Sequence, residues 1–331
     1  MKFADIEGNA RVKAALAGMV DSGKVPHAIL LHEDDGGGGV ALALAFLQYL
    51  YCRKRGGGES CCECPACNKV SKLIHPDIHF VYPVVLSADS VSEEYLAGWR
   101  KLVLENPRFS ENELYSALGF EGKNTVIGVR EANALLQKLS RYSLEGGYTS
   151  VLVYLPEKMN QTTANKLLKI LEEPPAETVF VLVTHNPEKL LPTIVSRCQT
   201  LRVDPPAAAE STVLRYDDGG LLSSLMDALV AKDLSATLAV GEQLAALPSR
   251  DSARMFCRYA SEKIRRVFLV QQGLGSIAGD DTQVHDWASS CRKTFPRKAL
   301  EAFDRCSALI GRNVNMKILF TDLVCGLYKN I

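Results

Sequence analysis

The sequence predicts an α/β N-terminal domain built on a mostly parallel, doubly wound sheet, followed by a region of helices alone. Three observations carry this prediction. Residues 27–52, "HAILLHEDDGGGGVALALAFLQYLYC", place an apolar run before four glycines and a helix-forming run after them, the strand–turn–helix order of a βαβ unit. "YTSVLVYL" (148–155) and "TVFVLVTH" (178–185) are continuously apolar, as strands covered on both faces must be. From "DPPAAAEST" at 204 onward the strand signal disappears and helical periodicity takes over.

Taken in order, residues 8–21 form a helix with Val12, Leu16 and Met19 at helical spacing, closed by a turn at Gly23 and Pro26. "HAILL" is a buried strand, the glycines a loop, and "VALALAFLQYLYC" a helix. A cysteine cluster follows, then a strand within "HPDIHFVYPV" (75–84). Residues 86–122 are polar and mixed, with a short helix at "SEEYLAGWRKLVLEN", and are treated as an insertion. "VREANALLQKLSRYS" is an amphipathic helix, and "TTANKLLKILEE" is a helix stopped by Pro174 and Pro175. Pro205, Pro206 and the alanines after them set a boundary near residue 204. Beyond it, "ARMFCRYASEKIRRVFLV" and "NVNMKILFTDLVCGLYKN" are apolar-faced helices.

The chain has 331 residues, 47% hydrophobic and 23% charged, a globular composition with room for two or three domains. Its 38 basic residues balance 38 acidic ones, so it lacks the electrostatic footprint of an autonomous nucleic-acid binder. The N-terminus carries charges where a signal peptide would be apolar, and no apolar run approaches the ~20 residues needed to span a bilayer. A cytoplasmic protein without membrane attachment is expected.

The glycine loop is tested against the Walker A pattern, in which backbone N–H groups cradle phosphate, a lysine contacts the β and γ phosphates, and a hydroxyl binds magnesium. With the second glycine of the pattern on Gly38, Glu33 stands at the first glycine, Gly39 at the lysine and Val40 at the hydroxyl. Glu33, Asp34 and Asp35 should repel a polyphosphate, although the bare N-terminus of the following helix would still attract an anion weakly. A glycine turn through Gly36, Gly38 and Gly39 without ligand is the favoured reading, residual nucleotide binding the other. The acidic strand end of an ATPase is missing too: Tyr154 and Leu155 occupy its place in "VLVYLPEKM", with Glu157 two positions late. Both losses together indicate a nucleotide-binding fold without ATPase chemistry.

Five of the ten cysteines fall within residues 52–67. Cys52, Cys61, Cys64 and Cys67 form C-x8-C-x2-C-x2-C, which suits a closed tetrahedral thiolate site for structural zinc; reduced free thiols and an iron–sulfur cluster are the alternatives. Spacing favours Cys61 over Cys62 as ligand. "RKRGGG" between Cys52 and Cys61 adds three positive charges, either a solvated loop or a phosphate contact.

Residues 157–203 are the most specific stretch. Met159, Ala164, Asn165, Leu167, Leu168, Lys169, Leu171, Glu172, Glu173, Pro174 and Pro175 precede an apolar strand, which is followed by Leu190 to Ile194 and Ser196–Arg197–Cys198. This segment resembles the bacterial clamp loader subunits of the AAA+ class, most closely the delta-prime family. "FADIEGNARVKAALAGMVDSGKVPHAILL", the cysteine spacing and "HPDIHFVYP" are similar to that family in the same order, so the resemblance covers roughly residues 1–203.

The resemblance implies an AAA+ (P-loop NTPase-like) core over 1–203 with a zinc module at 52–67, a linker or truncated helical lid at 204–220, and a helical C-terminal collar at 221–331 through which subunits assemble. It implies Arg197 as an arginine finger acting in trans on a neighbouring ATPase site, and no ATP bound by the chain itself. Thr184 and Asn186, near the sensor position at the strand end, are expected to be structural. Implied partners are the other loader subunits (delta and gamma/tau), with the sliding clamp and primer-template DNA met through the complex. The rival readings are an active AAA+ ATPase of gamma/tau type and a zinc-dependent nucleic-acid-binding module.

Overall fold

The structure, a computed structural model, describes residues 1–85, 91–121, 123–140, 143–204, 218–248, 250–275, 281–310 and 314–331. Most of the expected linker or lid at 204–220, and residues 86–90 and 122 of the insertion, lie outside them. The chain divides into two compact units, Met1–Ala209 and Glu210–Ile331.

In the first unit, α1 (Ala10–Asp21), β1 (Ala28–His32), α2 (Gly39–Tyr51), α3 (Pro65–Ser71) and β2 (Ile78–Val81) come first. The ribbon strand β3 (Val84–Val85), α4 (Leu96–Glu105), α5 (Glu111–Leu118), the ribbon strand β4 (Thr125–Val126) and α6 (Val129–Leu139) come next. Then follow β5 (Thr149–Tyr154), α7 (Gln161–Glu172), β6 (Thr178–Thr184), α8 (Pro192–Val195) and β7 (Gln199–Arg202). Five strands form one sheet in the order β2-β5-β6-β1-β7, every pairing parallel, with Ala28 opposite Phe180 and Val151 opposite Phe180 from the other side.

Alternation along these strands splits the interior in two. Ile29, Leu31, Leu152, Tyr154, Val179, Val181 and Val183 face one core, shared with α1, α2 and α4. Ala28, Leu30, Val151, Val153, Phe180 and Leu182 face the other, covered by α6, α7 and α8. Both faces being dry, the strands carry no polar face, which is why they are continuously apolar in sequence. Helix α2 is buried from Gly39 to Leu50 and has no solvent stripe. The N-terminus of α7 is capped by Asn160, whose Oδ1 accepts from Thr163 N at 2.8 Å.

Three strands escape the sequence signal. β7 is a mostly exposed, polar edge strand, so it shows neither an apolar run nor alternation. The expected strand at 75–84 stops at Val81, because Pro83 cannot donate to a ladder. Beyond it, Val84–Val85 pairs antiparallel with Thr125–Val126 in a separate two-stranded ribbon.

Residues 91–121, set aside as an insertion, enter the core of the sheet domain. Trp99 is fully buried and stacks on Tyr82 with ring centroids 4.4 Å apart and planes 7° from parallel. Phe109 meets Trp99 edge-on at 5.3 Å and Tyr154 at 5.1 Å, which ties this segment to the end of β5.

The second unit, over its described residues, consists of α9 (Leu221–Val230), α10 (Leu234–Ala245), α11 (Arg250–Gln271), α12 (Thr282–Ser290), α13 (Phe295–Ile310) and α14 (Met316–Asn330). Phe256, Ile264, Phe295, Phe303, Phe320 and Val324 lie at its centre. Among the described residues no helix is long and apolar enough to cross a membrane.

Trp99→Ala is expected to lower the stability of the N-terminal unit by about 3–5 kcal/mol, as truncation of a buried aromatic does. Urea unfolding followed by circular dichroism checks this; a loss below about 1 kcal/mol would return the segment to a peripheral role.

Candidate functional site

Because the sheet is parallel, the C-terminal ends of β1, β5 and β6 arrive at one edge, where ligand sites of open α/β sheets form. The turn after β1 carries residues 33–38 across this edge into α2. Gly36 and Gly38 have φ of 78° and 95°, a left-handed geometry that glycine adopts without strain. Gly39 is required for a different reason: a Cβ there would lie 2.8 Å from Val183 Cγ1 and 3.0 Å from Glu33 Cδ. The Walker lysine position therefore has no room for a side chain. Val40, at the hydroxyl position, is buried in the core.

The three acidic residues differ in exposure: Glu33 is buried, Asp35 is half-buried and Asp34 is exposed. Glu33 is 2% exposed, and its Oε2 accepts the Gly39 N–H at 2.6 Å, so the first of the amides at the start of α2 is occupied by the chain itself. Glu33 Oε1 lies 3.7 Å from His185 Nε2, which is also 3.9 Å from Asp35 Oδ1 and 3.5 Å from the Tyr154 hydroxyl. Burial disfavours the imidazolium. The hydrogen bond to Glu33 and the charges of Asp35, Glu33 and Glu157 outweigh it and raise the His185 pKa. Asp34 receives both its bonds from Arg202 Nη2, each at 3.0 Å, and Asp35 accepts Glu111 N at 2.8 Å. Of the three carboxylates, Glu33 thus faces His185, Asp34 forms a half-exposed ion pair with Arg202, and Asp35 accepts an amide. Helix α5 and the residue before it, Ser110, belong to the segment that closes over the turn. Arg108 lies against it, its side chain 3.6 Å from where a Gly38 Cβ would stand.

At the end of β5, Tyr154 and Leu155 are buried, and burial holds the Tyr154 phenol well above its ordinary pKa. Glu157 is a brace: Oε2 accepts from Thr184 Oγ1 at 2.7 Å, and Oε1 accepts His185 N at 2.9 Å and Asn186 N at 3.2 Å. Sequence reasoning passed over His185. The signal available was its position one residue after an apolar strand, in a sequence whose acidic triplet needed a cation.

Arg197, just beyond α8, pairs with Glu172 Oε1 at 2.8 Å and donates to the Thr193 carbonyl at 3.0 Å. Among the described residues it makes no hydrogen bond or ion pair with the turn.

The sulfurs of Cys52, Cys61, Cys64 and Cys67 lie within 4.8 Å of one another and can hold a metal ion. Cys52 ends α2 and Cys64 caps α3, accepting from Cys67 N. Cys62 has φ of 59°, which turns its thiol out of the set toward Gln48 Nε2 at 3.1 Å. Backbone N–H groups of Glu63 and Cys64 pull the Cys61 thiol down to about 6, so it is ready to ligate as thiolate. Cys61 N donates to Cys52 Sγ and Cys64 N to Cys61 Sγ, at 3.3 and 3.4 Å, the outer shell that thiolate sites use. All ten cysteines are free thiols. Four soft ligands with no open position make a closed site.

The class defined so far is a parallel α/β domain of P-loop-like build, with a glycine turn at the start of α2 and a four-thiol knuckle at its other end. The family model described as DNA polymerase III, delta subunit, matches residues 8–207, and the chain belongs to that family. It is 29% identical over 209 residues to DNA polymerase III subunit delta' of Bacillus subtilis (strain 168), covering 62% of this chain and 51% of that protein. It is 31% identical over 191 residues to the subunit of the same name from Escherichia coli (strain K12), covering 58% and 46%. The chain thus spans about half the length of the curated relatives it matches. Among solved structures, a gamma subunit-related protein of DNA polymerase III from Thermotoga maritima aligns with a TM-score of 0.40 and 18% identity, over 96% of this chain and 99% of that one.

Cys61→Ser is expected to abolish stoichiometric metal uptake, and Cys62→Ser to leave it intact. Cobalt substitution followed by thiolate-to-metal absorption checks the pair; the opposite pattern would reassign the fourth ligand.

Proposed function

We propose that this chain is the non-hydrolysing delta-prime subunit of a bacterial replicative clamp loader, a scaffold of the ring that acts on ATP only through a neighbour. One observation carries the reading: the Walker lysine position is a glycine with no space for a side chain, hydrogen-bonded to the chain's own Glu33. With Val40 at the hydroxyl position and Tyr154 and Leu155 at the acidic strand end, the groups that would hold magnesium and activate water are missing as well. Family membership and the delta' relatives support the placement in DNA polymerase III.

In this reading Arg197 supplies a guanidinium in trans to the γ-phosphate of an adjacent gamma/tau-type subunit. Its partner Glu172 is compatible with that role, because both side chains are more than a third exposed and such a surface pair contributes at most about 1 kcal/mol. Little opposes the exchange of a carboxylate for a neighbour's phosphate. The helices of 221–331 serve as the collar, 204–220 as a linker or reduced lid, and Cys52, Cys61, Cys64 and Cys67 hold structural zinc. Delta, gamma/tau, the sliding clamp and primer-template DNA are the partners that follow.

Purified chain is expected to show no ATP turnover; measurable hydrolysis at micromolar ATP would make it an active ATPase of gamma/tau type instead. In the reconstituted loader, Arg197→Ala is expected to leave assembly intact and to slow DNA-stimulated hydrolysis at the adjacent site by about 10³-fold or more. Unchanged hydrolysis would remove the finger assignment. Metal analysis is expected to give about one zinc per chain, with chelation lowering the melting temperature.

A further inference from the structure

The acidic triplet ahead of the glycines belongs to the turn but is not explained by the loss of ATPase residues alone. A turn that had merely decayed would leave its helix N-terminus to water. Here Glu33 is folded back into the space where an anion would sit at the start of α2, and it is almost completely buried there.

We infer that Glu33 is an internal plug: its carboxylate takes the place of a bound oxyanion at the β1–α2 turn and keeps the turn closed to phosphate. The inference rests on the non-nucleotide-binding reading above and supplies its physical cause. Glu33 Oε2 receives the Gly39 N–H at 2.6 Å, at the positive end of a 13-residue helix, and Oε1 faces His185 Nε2 at 3.7 Å. These are the donors a phosphate would otherwise use. A carboxylate held by the chain also competes at a high effective concentration against any free anion.

The surroundings hold the plug in place. A Cβ at Gly37 would lie 2.8 Å from the Asp34 carbonyl oxygen and 2.9 Å from Glu33 Oε2, and one at Gly39 would lie 2.8 Å from Val183 Cγ1 and 3.1 Å from Glu33 Oε2. Both glycines leave room for the carboxylate as well as for the backbone and core beside it. Asp34 is neutralised by Arg202 and Asp35 accepts the Glu111 amide, so neither competes for the Gly39 amide. The groups acting on His185 are Glu33 and Asp35 from the turn, Tyr154 from β5, Glu157 from the turn after it, and Glu111 from α5. With Glu33 gone, the Gly39 N–H loses its partner and the His185 imidazole loses one facing carboxylate, with the Arg108 side chain close by, and the turn becomes an anion site.

The test uses the full chain and inorganic phosphate, followed by isothermal titration at neutral pH. Glu33→Gly is expected to bind phosphate at least about tenfold more tightly than the wild type. No gain in a variant with native circular dichroism would overturn the plug. Glu33→Gln, nearly isosteric, serves as the second arm. There the His185 titration, followed by NMR of its ring protons, is expected to fall back toward the ordinary histidine range, and an unchanged midpoint would also overturn the proposal. Failure of the function reading looks different: wild-type chain would itself bind and turn over ATP, whatever the variants do.

Discussion

A sheet whose strands all run parallel and whose two faces are both covered is the constraint on which the rest of the N-terminal unit depends. Backbone groups inside it are satisfied by neighbouring strands, and the side chains of the central strands β1, β5 and β6 are predominantly apolar on both faces. The helices are distributed accordingly, α1, α2 and α4 against one core and α6, α7 and α8 against the other. The same parallel arrangement delivers the ends of β1, β5 and β6 to one edge. The chemistry of that edge is decided by the few residues following each strand: Glu33 to Asp35, Leu155 to Glu157, and His185 with Asn186.

The buried strands were legible because continuous burial writes itself into the sequence as continuous apolarity. β7 was not, since an edge strand bearing Gln199, Thr200 and Arg202 has no such requirement, and the two-residue ribbon strands are too short to carry any period. Residues 91–121 look polar on average, yet Trp99, Phe109 and Leu114 do their packing one residue at a time. Average composition hides such anchors. At the turn, the pattern showed what was missing but not what had replaced it. The replacement joins Glu33 to His185, residues that meet only because β1 and β6 are neighbours.

The cysteine cluster shows the complementary case, where short-range spacing narrows a choice and backbone geometry completes it. C-x2-C spacing already favoured Cys61, and the left-handed conformation of Cys62 turns the competing thiol toward Gln48. For Arg197 spacing located the residue within a motif, while its partner Glu172 was visible only in three dimensions. An exposed pair of this kind is weak by nature.

Helix α2 links the two features. Its first amide is held by Glu33, its last turn leads into Cys52, and every residue from Gly39 to Leu50 is buried. A helix without an outer face offers no position at which sequence can drift freely, so the edge cannot be retuned by changes along the helix. Variation in what this edge does must be written in the loops at the strand ends, and there three acidic side chains have already written it.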